Sequence, residues 1–328
     1  CMRTTLHVVP SDEMPFFHQA FAQRGGPAEL RGQASLLVQA GLCQEQEAGP
    51  LLRDLHRRVL EALTADGPST VQEISSAVPA LKARVRHSVA KSYAGEFSLG
   101  SRLVPSMCTL GLVVRGRPRG TWRSNLYEYA ALARWLPEVD LGAVTPGEAR
   151  AWLVCRYLGA FGPATLEDIQ WWTGFSKGET QEALGALRAE LLEVAIEGLG
   201  DGYLMLTDKA RLTREYAAPG DSYAFLLPGL DPYIMGYRDR RRFLAEEHRA
   251  KVFDRAGNAL PTVWVNGRVV GGWGQRKRDG AIALGLFEPV GEEALTLLEK
   301  EVQRLEGFLD GEHLPQRLSL IHISEPMR

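Results

Sequence analysis

The chain has 328 residues, 45% of them apolar and 24% charged, and a formal net charge of −2. That composition belongs to an ordinary globular protein with room for two or three domains, and no run of about 18 uncharged apolar residues exists to span a membrane. Four scattered cysteines (Cys1, Cys43, Cys108, Cys155) without a CxxC pair argue against disulfide frameworks and zinc ribbons; seven histidines without an HExxH cluster give no metal site, and no cofactor is expected.

The chain opens at Cys1, and "RTTLHVV" after Met2 alternates like a strand already under way. A missing N-terminal segment is therefore expected. From residue 51 an internal repeat organises the sequence. "ADGPSTVQEI" (65–74) and "AFGPATLEDI" (160–169) align without gaps at an offset of 95 residues. Each follows an apolar helix: Leu52, Leu55, Val59 and Leu63 in the first copy, Ala149, Trp152, Leu153 and Leu158 in the second. Gly-Pro then ends the helix, and the next one is capped by Ser69 with Gln72 or by Thr165 with Asp168. A third helix is expected over 81–93 and over 177–191. Short strands follow at 110–116, and at 191–208 as "LLEVAIEG" with "GYLMLTD".

Helix, tight turn, helix, helix and hairpin describe a winged helix-turn-helix, present twice. Modules of this kind bind DNA or serve as scaffolds, and charge separates the two copies. The first carries Lys82, Arg84, Arg86 and Lys91 on its third helix, and Arg115, Arg117, Arg119 and Arg123 in its wing. The second is acidic, and its Trp171 and Trp172 read as packing residues. Copy one is thus the candidate DNA reader, its third helix toward the major groove and its wing against the backbone or minor groove. Trp122, among the wing arginines, either wedges or stacks on a base or anchors the hairpin.

After Pro219 the pattern changes to short apolar strands with Gly-rich turns, including a hairpin turning at Asn266-Gly267 and a closing helix over 292–308 with Leu295, Leu298, Val302, Leu305 and Phe308 as its stripe. The run "GYRDRRRF" places four arginines in residues 238–242. These either grip phosphates or pair internally with Asp231, Asp239, Glu246 and Glu247. The tail "LSLIHISEPMR" (318–328) resembles a translated transposon-type sequencing adapter, with Met327 where that translation has Thr, and is read as non-native.

Net charge hides segregation. Residues 51–135 carry 13 basic and 6 acidic side chains, 136–228 carry 7 and 14, 231–280 carry 11 and 6, and 281–317 carry 3 and 8. Two basic and two acidic segments alternate, an arrangement that would orient a polyanion on the surface.

Five motifs in order, "MRTTLHVVP", "GRPRGTWRSN", "RYLGAFGPATLEDIQWWTG", "LPGLDPYIMGYRDRRRFL" and "GNALPTVWVNGRVVGGW", resemble the bacterial tandem winged-helix DNA glycosylases that act on alkylated and crosslinked purines, over about residues 2–310. The resemblance implies an α+β fold of tandem winged helices followed by a small β-rich C-terminal domain. The expected organisation is a winged-helix remnant at 1–50, a basic winged helix at 51–135, an acidic one at 136–218 and the β-rich domain at 219–317. It also implies a cytoplasmic, monomeric protein that binds double-stranded DNA and, when complete, hydrolyses the N-glycosidic bond of damaged purines. The family's catalytic Gln-x-Gln or Gln-x-Asp lies upstream of the segment resembling "MRTTLHVV", so it is expected to precede Cys1 and this chain to be inactive. Gln44-Glu45-Gln46 is a poor substitute: it lies on the wrong side of that strand, its middle residue is charged, and its flanks read as a loop. The candidate DNA-binding set is Lys82, Arg86, Arg115, Arg117, Arg119, Trp122, Arg123, Arg238, Arg240, Arg241, Arg276, Lys277 and Arg278. The competing reading is a non-enzymatic winged-helix regulator.

Overall fold

The computed structural model describes residues 8–86, 96–121, 124–212 and 222–314. It mixes helix and sheet, and its packing forms two compact units: Cys1–Val154 with Gln181–Ala186, and Cys155–Thr180 with Leu187–Arg328. Among the described residues no helix is long and apolar enough to cross a membrane.

The first unit begins with helix α1 (Met14–Gln39) and helix α2 (Glu45–Asp66). Leu52, Leu55, Val59 and Leu63 share one face of α2 and are all buried, in one core with Leu37 of α1. Gly67, at a φ of +76°, then turns the chain through a conformation that suits glycine. Strand β1 (Ser69–Thr70) and helix α3 (Val71–Ala77) follow. The cap falls one residue later than expected. Thr70, not Ser69, accepts from the Glu73 amide, and the Glu73 carboxylate accepts from the Thr70 amide at 2.8 Å. Ser69 is already a strand residue, and its hydroxyl donates to the Gly67 carbonyl.

The third helix expected over 81–93 is not formed in its described part. A single 3₁₀ turn (Pro79–Lys82) leads into strand β2 (Arg84–Arg86), which pairs antiparallel with strand β3 (Glu96–Ser98). Arg84-Val85-Arg86 alternates with period two, and Val85 is wholly buried, which is strand behaviour. Residues 87–95, Lys91 among them, lie outside the described residues. The third helical place belongs to α4 (Gly100–Ser106), anchored by buried Leu103 and Val104. Strands β4 (Val113–Pro118) and β5 (Tyr127–Ala131) complete a three-stranded sheet of order β1-β5-β4, and helix α5 (Leu132–Trp135) follows.

The second copy has the expected order: helix α6 (Pro146–Phe161), α7 (Leu166–Thr173), α8 (Lys177–Ala186), then a hairpin of β6 (Leu191–Ile196) and β7 (Gly200–Met205). The division between the two units falls within α6 and α8. Ala149, Leu153 and Leu158 are buried as their spacing implies, and Trp152 stacks on Phe16 with centroids 4.7 Å apart. Trp172 packs beside Tyr157 at 4.9 Å.

After helix α9 (Lys209–Leu212), strand β8 (Ala224–Leu227), helix α10 (Arg249–Val252) and strands β9 (Thr262–Val265), β10 (Arg268–Gln275) and β11 (Ile282–Leu286) lead to helix α11 (Glu292–Leu309). The four strands form an antiparallel sheet of order β11-β10-β9-β8. The β9–β10 hairpin turns at Asn266 and Gly267, both at positive φ, as a two-residue turn of this type requires. Val263, Val270 and Trp273 share a core with Leu298 of α11, while Trp264 and Val269 pack with Ile234, Tyr237 and Phe243. The stripe of α11 is shifted from expectation: Leu298, Val302, Leu305 and Leu309 join the core, whereas Phe308 is 83% exposed.

Candidate nucleic-acid interface

The connection between β4 and β5 sorts its arginines by what they touch. Arg115 sits over the Tyr127 ring, its guanidinium carbon 4.2 Å from the ring centre, and donates to the Tyr129 hydroxyl, which holds an exposed guanidinium in one direction. Arg117 is exposed and forms no ion pair among the described residues. Arg119 behaves differently. Its Nη1 meets Glu73 Oε1 and its Nε meets Glu128 Oε1, both at 2.6 Å, so it latches the β4–β5 pair to the start of α3. That guanidinium, helped by the Thr70 cap, holds the Glu73 carboxyl down to about 2, well below its usual 4.5. Trp122 and Arg123 lie outside the described residues.

Lys82 and Arg84 border a groove of about 590 Å³ that also involves Gln72, Ser75, Asn125 and Tyr127. Lys82 projects from the 3₁₀ turn; Arg84, on β2, is half-exposed and pairs with Glu96 at 3.1 Å. Arg86 ends β2. Spacing alone does not reveal this groove, because its polar wall comes from α3, the β2–β3 pair and the start of β5 together. The signal within reach was the alternation of Tyr127 and Tyr129 opposite Arg115.

The arginine run of the second unit is largely turned inward. Asp168, in the first turn of α7, is wholly buried. It caps its own helix through Thr165 and also accepts from the backbone amides of Arg238 (2.8 Å) and Asp239 (3.1 Å). Arg242 completes the anchor: its Nη2 lies 3.0 Å from Asp168, and its guanidinium stacks over Tyr237 at 3.9 Å. Arg240, expected on the surface, is only 7% exposed, with its guanidinium over Phe253 (4.2 Å) and Trp171 (4.9 Å). Arg241 is exposed but paired with Asp239 at 2.6 Å. Arg238 alone of the four is exposed without an ion pair among the described residues. Among the described residues no ion pair joins the run to Asp231, Glu246 or Glu247; the buried carboxylate that anchors it, Asp168, lies 70 residues away in sequence.

Arg276, Lys277 and Arg278 occupy the β10–β11 turn, where Asp279 pairs with Arg276 at 3.2 Å and Arg278 at 3.6 Å. Gln44 turns out to precede α2 directly, its amide donating to Glu47 at 3.0 Å, so the Gln44-Glu45-Gln46 triplet belongs to a helix start and not to a loop.

Fold and surface together define an α+β protein built from repeated helix–hairpin modules and a small antiparallel sheet, with arginines presented on a strand-to-strand turn. The chain belongs to the family described as DNA glycosylase AlkZ-like, whose model matches residues 1–308. An interstrand DNA cross-link repair glycosylase of Streptomyces sahachiroi is 38% identical over 133 residues, which cover 39% of this chain and 34% of that protein. The match thus spans about a third of that relative's length. The solved Streptomyces sahachiroi DNA glycosylase AlkZ shares the fold, with a TM-score of 0.67 at 24% identity over 96% of this chain and 79% of that one.

Proposed function

We propose that the protein binds double-stranded DNA and acts in base-excision repair, as a monofunctional glycosylase hydrolysing the N-glycosidic bond of alkylated or crosslinked purines. Family membership across residues 1–308 carries the reading. On it, the two helix–hairpin modules are winged helices. In the first, α4 takes the recognition position that the sequence assigned to 81–93, and its exposed Ser101 and Arg102 face the major groove. Arg115, Arg117 and Lys82 hold phosphates beside it. In the second unit Arg238, Arg276, Lys277 and Arg278 serve the same end, while Arg119 and Arg240 position the surfaces around them.

Alkylation at N7 makes the purine a cationic leaving group, so the chemistry demands a positioned water and stabilisation of an oxocarbenium-like sugar. The described residues are given the duplex-holding part of that task. Phosphate contacts supply affinity without sequence preference, as suits an enzyme that finds lesions and not sites.

The test is duplex binding by the full chain, followed by fluorescence anisotropy from about 50 to about 200 mM salt. Each phosphate held contributes about 0.9 to the slope of log affinity against log salt, so Arg115→Ala with Arg117→Ala is expected to flatten it by about two units. An unchanged slope removes the wing from the interface.

A further inference from the structure

We infer that His56 anchors a second binding site, a pocket for a purine nucleotide along the face of α2. It stands apart from the wing and goes beyond the duplex-binding reading without resting on it.

The argument starts from one proton. The Ser106 hydroxyl donates to the Leu103 carbonyl at 2.8 Å, which uses its single hydrogen. Its oxygen must therefore accept, and the Gln33 amide nitrogen donates to it at 2.6 Å. That fixes the orientation of the Gln33 amide. Its oxygen faces His56 Nε2 at 2.6 Å and can only accept, so Nε2 carries the hydrogen. A neutral imidazole with its hydrogen on Nε2 presents a lone pair at Nδ1. Gln33 is 1% exposed and His56 8%, so this chain of donors is locked in the interior of the first unit. Burial also pushes the imidazole below its ordinary value of 6.5, toward the neutral form.

Nδ1 has no partner among the described residues, and the ring borders a shallow, open depression of about 620 Å³. Leu60, Ala65 and Leu112 supply apolar walls, and Thr64 a hydroxyl. Two arginines stand at the rim. Arg57 is spoken for by Asp54 and Glu61, whereas Arg53 has no ion pair among the described residues. The site therefore asks for a flat apolar body that donates one N–H to an imidazole acceptor and carries an anionic group toward a cation. A purine nucleoside monophosphate matches each requirement. Its amino or imino N–H suits Nδ1, its bicyclic base offers more apolar face than a pyrimidine, and its phosphate suits Arg53.

The test uses the full chain and 2′-deoxyguanosine 5′-monophosphate, with calorimetry for affinity and long-range ¹H–¹⁵N spectra for the His56 ring. The ring should show the Nε2–H tautomer alone, and the nucleotide should move the Nδ1 resonance as it accepts a hydrogen bond. Arg53→Ala, a surface change, should weaken the nucleotide about tenfold and leave deoxyguanosine unaffected. Thymidine monophosphate should bind more weakly. Competition by a single-stranded oligonucleotide would identify the source as a DNA strand; absence of competition would identify the free nucleotide. A hydrogen on Nδ1, no response to millimolar nucleotide, or an Arg53→Ala variant with unaltered affinity overturns the proposal. The salt slope of duplex binding is independent of all three, so the two readings fail separately.

Discussion

Asp168 is a buried carboxylate with four donors around it: its own helix cap, two backbone amides of the arginine run, and the Arg242 guanidinium. Breaking one side of such a pair leaves the other charge desolvated, and Arg242 Nε already lacks a partner. Asp168→Asn keeps the shape but not the charge. It is expected to lower unfolding free energy by about 3 kcal/mol, read from urea denaturation. A loss below about 1 kcal/mol would mean that Arg242 finds water instead. The neighbouring arginines separate in the same way. Arg240→Glu puts a carboxylate between Phe253 and Trp171 and should cost folding, by about 3 kcal/mol or more. Arg238→Glu, on an exposed side chain, should leave the melting temperature in place and weaken duplex binding instead. Equal behaviour of the two variants would contradict the inward turn of Arg240. Sequence could place four arginines together, but the carboxylate that organises them lies 70 or more positions away, beyond any local pattern.

At the scale of elements, the β4–β5 pair is fastened to α3 by Arg119 through Glu73 and Glu128. Because Glu73 is held at about 2 against an ordinary 4.5, its contribution to stability is complete above about pH 4.5 and is lost as pH falls toward 2. Thermal unfolding from pH 7 down to 2.5 should therefore show wild type and Glu73→Gln converging at the acid end, with wild type the more stable near neutrality. A gap that persists unchanged at pH 2.5 would assign the effect to something other than the carboxylate charge. The repeat holds at this element: Thr70 with Glu73 and Thr165 with Asp168 form the same capping box 95 residues apart, where the sequence pattern pointed to Ser69 with Gln72 in the first copy. The helix assigned to 81–93 failed for a physical reason. Lys82, Arg84 and Arg86 were expected on one helix, but their spacing of two is that of a strand, and buried Val85 between Arg84 and Arg86 settles the period. Helix α1, which the sequence reading did not address, runs through Gly25, Gly26 and Pro27, residues that more often mark a break.

On the scale of the molecule, charge is sorted along the chain while the total stays near zero. Binding of a polyanion would then depend on which cations remain free after internal pairing, not on how many exist. Arg115, Arg117 and Arg238 remain exposed; Arg119, Arg240 and Arg242 are used within their own units. The order of residues by itself determined the duplicated helix–hairpin module, the four C-terminal strands, the Asn266-Gly267 turn and the family. Each of these is written in short-range periodicity, turn chemistry or linear motif, and needs no distant partner. Only the tertiary structure decided which arginines face water, where the third helix of the first copy lies, and that His56 of α2 meets Gln33 of α1. Those outcomes hang on carboxylates, rings and carbonyls brought in from remote positions, and burial, which no local window can see, sets their energies.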